Sequence, residues 1–165
     1  MNTTSRTLLG ALLALASMAG AWAQAAVPVT VLAPWARASV QGQRASGAFM
    51  TLVAREPVTL VGASSPVAGL AEVHEMKMEG DVMRMRAVGS LELKPNQPVQ
   101  LKPGGYHLML QELKAPLVAN TSIPVTLSFR TAGGETRELV LQVPVSTLPP
   151  REAGAAADAH GHKKH

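Results

Sequence analysis

Between residues 27 and 145, apolar and polar positions alternate in short runs broken by glycine and proline, without a sustained helical period. The runs predict strands over 27–32, 46–53, 58–63, 70–78, 82–88, 99–101, 106–110, 123–130 and 138–145. Pro28 marks the first of them as an edge strand, because proline cannot donate to a ladder. Glu79-Gly80-Asp81 and Ala132-Gly133-Gly134 are hairpin signals, and Pro103-Gly104-Gly105 is a turn between two further strands. A short helical turn is expected near residues 66–70. Many short strands at regular spacing point to an all-β sandwich or barrel.

The two ends read differently. Arg6 is the only charge before the apolar run LLGALLALASM, which gives way to the small residues of Ala19-Gly20-Ala21-Trp22-Ala23. This is the layout of a secretory signal peptide over 1–23, cleaved before Gln24, and the apolar run is short for a membrane span. No other segment has the length and apolar character of a span. Residues 24–147 are expected to form one domain. Residues 148–165 run through Pro149-Pro150, hold no apolar residue larger than alanine after Pro150, and are expected to be a disordered His-rich tail.

Composition narrows the chemistry. Without Arg6 the chain carries 14 basic and 11 acidic side chains, too mild and scattered an excess to argue for nucleic acid. There is no cysteine, which removes thiolate catalysis, Cys-based zinc sites and blue-copper centres. Six of the eight methionines follow the signal, and four of those lie between Met76 and Met85. Ser64 and Ser65 are candidate nucleophiles, but no histidine near them in sequence suggests a base. The chain is expected not to be an enzyme.

The methionine cluster has a pattern. In AEVHEMKMEGDVMRMRAV, a two-residue turn at Glu79-Gly80 would set His74 opposite Met85, Met76 opposite Met83 and Met78 opposite Asp81. Alternation then puts His74, Met76, Met78, Met83 and Met85 on one face and Glu75, Lys77, Arg84 and Arg86 on the other. Directly opposed Cβ atoms lie about 4.5–5.5 Å apart, close enough for imidazole and thioether to share an ion. His107 and Met109 occupy alternate positions of YHLML and share a face of their own strand. Two imidazoles and two thioethers are all neutral donors, and thioether sulfur is soft, so the set suits Cu(I) over Mg²⁺, Ca²⁺ or Zn²⁺. Met76, Met78 and Met83 read mainly as a rim or packing surface, with assistance to copper entry as a further role for the rim. In the tail, His160, His162 and His165 with Asp158 form a nitrogen- and oxygen-rich cluster suited to Cu(II), and also to Ni²⁺ or Zn²⁺.

The order His74, ten residues, Met85, twenty-one residues, His107, one residue, Met109 resembles the signature of the periplasmic PCu(A)C copper chaperones. The phrases HEMKM, GDVMRMRAV, LKPGGYHLML and APWARAS are similar to that family as well, and the likeness extends over about 120 residues. The resemblance implies a cupredoxin-like β-sandwich with Greek-key connections, holding one Cu(I) near its surface through His74, Met85, His107 and Met109. It further implies a periplasmic location. Delivery of copper to the binuclear centre of cytochrome c oxidase is implied too, directly or through another copper chaperone. The alternative is a periplasmic copper buffer that confers tolerance and has no specific client.

Overall fold

The computed structural model describes residues 26–150. The signal peptide expected over 1–23 and the tail histidines His160, His162 and His165 lie outside the described residues. Ten strands follow one another: β1 (Val29–Arg37), β2 (Ala45–Ala54), β3 (Val58–Ser64), β4 (Leu70–Glu79), β5 (Val82–Ala87), β6 (Leu91–Leu93), β7 (Val99–Leu101), β8 (Tyr106–Gln111), β9 (Ser122–Thr131) and β10 (Thr136–Ser146). No helix occurs among the described residues, and the helical turn expected near 66–70 is a tight turn at Pro66-Val67.

The strands form one curled sheet in the order β5-β4-β8-β7-β2-β1-β10-β9-β3-β6, folded into two layers. The layers join where β1 pairs in parallel with β10, and only at Ala36↔Val145 and Arg37↔Ser146. The amino-terminal half of β1 pairs with β2 alone, the one-sided position that Pro28 predicts. A bulge between Leu32 and Trp35, with Ala33 at φ 46°, bends β1 toward the other layer. The links β3–β4, β5–β6 and β6–β7 each carry the chain from one layer to the other, giving the Greek-key type of cupredoxin-like sandwich. Strand β6 was not foreseen, because three residues are too few to show a period. Its Leu91 and Leu93 are buried and only the intervening glutamate is exposed.

The core lies between the layers. One wall comes from Ala48, Met50 and Leu52 of β2, Ala71 and Val73 of β4, and Leu108 and Leu110 of β8. The facing wall comes from Ile123, Val125, Leu127 and Phe129 of β9 with Val58 and Leu60 of β3. Alternation along β4 shows where this core ends. Ala71 and Val73 point inward, but the next residues of the same parity are Glu75, Lys77 and Glu79. From Glu75 onward the strand has therefore left the sheet-on-sheet contact. The β4–β5 hairpin overhangs the sandwich, and every residue of β5 is exposed.

Candidate metal centre

The outer face of the first layer carries the predicted donors. Strands β4 and β8 are antiparallel neighbours in which His74 pairs with His107 and Glu72 with Met109. The two imidazoles therefore share a face, with ring centroids 5.9 Å apart and planes tilted by 58°. Both rings are buried, at 8% and 7% exposure. Their strands are anchored from behind, since Val73, Leu108 and Leu110 alternate with the donor positions and point into the core.

The hairpin pairs differently from the sequence expectation. Glu79 faces Val82, Met78 faces Met83, Met76 faces Met85, and His74 faces Ala87. The two-residue turn is Gly80-Asp81, not Glu79-Gly80. Gly80 sits at φ 63°, in the left-handed region, at the first central position. Primed hairpin turns need positive φ at that position, which glycine adopts without cost and Glu79 would not. The pairing moves by two positions, so every side chain keeps its face although its direct partner changes. Met85 is thus diagonal to His74 and directly across from Met76.

Hydrogen bonds fix which ring nitrogens are free. His107 Nδ1 lies 3.1 Å from the carbonyl oxygen of Gly105, which can only accept, so Nδ1 carries the proton and in the neutral ring Nε2 keeps its lone pair. His74 Nε2 lies 3.3 Å from a Glu72 carboxylate oxygen, which also accepts from Gln111 Nε2 at 3.4 Å. By the same reasoning His74 donates from Nε2, and its neutral ring bares Nδ1. That nitrogen is buried without any hydrogen-bond partner. Leaving such a group unsatisfied costs about 1–3 kcal/mol. A nitrogen without a proton is satisfied by a donor or by a cation. An imidazole held by an oxygen on one nitrogen and open on the other is the arrangement of metal-ligating histidines.

An open groove of about 320 Å³ lies on this face. Met76, Met85, His107 and Met109 line it, together with Arg37, Gly47 and Phe49. Three of the four predicted donors (Met85, His107 and Met109) thus share the groove. His74 does not line it and is buried beside His107. Among the described residues no three His, Asp or Glu side chains gather as a metal cage, so the thioethers must complete any site here. Opposite Met109 in the ladder is Gly47, where a Cβ would meet Phe49 Cζ at 2.7 Å. Phe49 stacks on Trp35, with centroids 4.7 Å apart, and Arg37 Cζ lies 5.8 Å from the Phe49 ring centre.

Met76 had read as a rim residue, and the structure puts it among the groove residues. Glu72, Gly47, Phe49 and Arg37 carried no sequence signal of their own as site residues, beyond the presence of Arg37 in APWARAS. They reach the groove only through strand pairing. Ser65, a candidate nucleophile, donates its hydroxyl proton to the Pro124 carbonyl at 2.6 Å and is buried.

This architecture is that of the PCuAC domains. The structure is similar to a copper-bound PCuAC domain from PmoF2, with a TM-score of 0.59 at 22% identity, over 74% of this chain and 97% of that domain. It is also similar to CuI-DR1885 from Deinococcus radiodurans, with a TM-score of 0.56 at 30% identity, over 80% of this chain and 85% of that one. In sequence it is 32% identical over 102 residues to "Putative lipoprotein Lxx21020" of Leifsonia xyli subsp. xyli, a match spanning 61% of each chain. The family described as "Putative lipoprotein LpqE-like" matches residues 29–145, and the chain belongs to this LpqE-like family.

Proposed function

We propose that this protein is a copper carrier of the periplasm that binds one Cu(I) through His74, Met85, His107 and Met109. The observation that carries the proposal is the buried, partnerless Nδ1 of His74 beside an imidazole whose Nε2 is also free. Beside that pair lies a groove lined by the thioethers of Met85 and Met109. A neutral nitrogen and sulfur donor set suits a soft monovalent ion and disfavours hard divalent ones. The copper-bound relatives of the same fold support the choice of metal. Export is supported by the signal-like amino terminus and by the lipoprotein description of the family. In this reading 24–147 is the exported copper domain. Delivery to the copper centre of cytochrome c oxidase is its role, and the tail histidines His160, His162 and His165 capture Cu(II). In this reading the protein binds and releases copper and is not an enzyme.

The test is a Cu(I) competition titration against a chromogenic chelator. One tightly bound ion per chain is expected. Met109→Leu and Met85→Leu, which keep volume and remove sulfur, should each weaken binding at least tenfold, about 1.4 kcal/mol. Wild-type affinity in both variants would overturn the ligand assignment. Loss of oxidase activity at low copper in a deletion strain would support the delivery role. Sensitivity only at high copper would point to a buffer instead.

A further inference from the structure

The exposed hairpin carries donors that the four-residue site does not use. Met76↔Met85 and Met78↔Met83 are directly opposed pairs on one face of β4 and β5. The four thioethers therefore form a two-by-two patch, with opposed Cβ atoms about 4.5–5.5 Å apart. Methionine is ordinarily a filler of irregular core space. None of these four joins the core or packs against it as a partly buried residue, whereas Met50 of β2 does. Met78 and Met83 are instead 59% and 46% exposed, in the overhang beyond the sandwich.

The other face of the paired hairpin strands carries the charges of Glu75, Lys77, Glu79, Arg84 and Arg86, and Asp81 lies in the turn. Glu75 pairs with Arg86 at 2.9 Å and Glu79 with Arg84 at 3.0 Å. These pairs tie the two strands together from behind and leave the thioether face without a formal charge. An uncharged cluster of soft sulfur donors has one natural ligand class, a soft monovalent cation. Hard divalent ions would lose hydration there without gaining an anionic ligand.

We infer that Met76, Met78 and Met83 form a second, exposed, thioether-only site for a soft monovalent cation such as Cu(I), adjoining the groove. Met76 and Met85 stand between the two sites. Met76 lines the groove and also pairs along the hairpin, so an ion held at Met78 and Met83 has a continuous set of thioethers leading inward. The outer site has no imidazole to strengthen it and is the weaker of the two. Its existence does not require the inner assignment, although its role as a landing site rests on the copper reading above.

The experiment uses the full chain with ¹³C-labelled methionine methyls and histidine ring signals, titrated with Ag(I), a redox-stable soft monocation. The expected result is two separable events. His107 and Met109 respond first, and Met78 and Met83 respond in a later, weaker step. In the double variant Met78→Leu/Met83→Leu, the later step should vanish while the response of His107 and Met109 persists. These positions are exposed, and the variant's methyl and amide spectrum checks that the fold is kept. If Met78 and Met83 stay unmoved, or move only together with Met109 in a single event, the second site is refuted. If Met78 and Met83 respond while His107 and Met109 do not, the second site stands and the inner assignment is what fails.

Discussion

Gly47→Ala tests how the scaffold shapes the groove without touching any donor. The added Cβ would sit 2.7 Å from Phe49 Cζ and 3.3 and 3.4 Å from two further ring atoms. Ordinary contact begins near 3.4 Å, so the ring tip must move by about 0.7 Å. It cannot swing away freely. Phe49 is 6% exposed and lies against Trp35, itself 5% exposed, so one movement forces the other. Inserting a methyl into packing of this kind costs about 1–3 kcal/mol. The shift also occurs directly across the ladder from Met109, in the lining of the groove. Thermal unfolding should therefore show a lowered midpoint, and Cu(I) competition a weakened affinity. Gly47→Ala with wild-type stability would refute the packing argument. Lost stability with unchanged Cu(I) affinity would show that the aromatic wall does not shape the site.

Two other outcomes follow from the same geometry. The Arg86 guanidinium donates to Glu75 and holds its carboxyl below the usual carboxylate range, so this pair stabilises the hairpin above the ordinary carboxylate pKa and ceases to as pH falls through the depressed value; in Arg86→Gln, carboxyl NMR should show Glu75 titrating at higher pH, and an unmoved titration would refute the pairing. Leu108→Ala, at a fully buried position between His107 and Met109, should cost about 2–5 kcal/mol in denaturant unfolding, and a loss below 1 kcal/mol would mean that the core does not anchor the donor strand as described.

Nine of the ten strands, β6 excepted, and the all-β class could be read from the sequence, which also offers His74, Met85, His107 and Met109 as candidate donors. Alternation and glycine punctuation are local signals, and a face assignment needs only the parity of a position. That is why His74, Met76, Met78, Met83 and Met85 kept their common face even though the hairpin pairing was misplaced by two. The pairing itself turned on one backbone angle, the positive φ that a glycine accepts and a glutamate resists. The identity of Gly80 already favours it for that angle, but the alternation of apolar and polar positions does not register where the turn begins. Strand neighbours in space were hidden for a different reason. The meeting of His74 with His107, and of Met109 with Gly47 under Phe49, depends on β8 lying between β4 and β2, separations that no local pattern encodes. The same holds for the orphaned nitrogen of His74. Its burial and its missing partner are properties of the strands paired beside it and of Glu72 claiming the other nitrogen. The sequence by itself determined which soft and imidazole donors the chain has to offer. Only the tertiary structure decided which of them share a groove, because convergence is a matter of distance between strands and not of position along one.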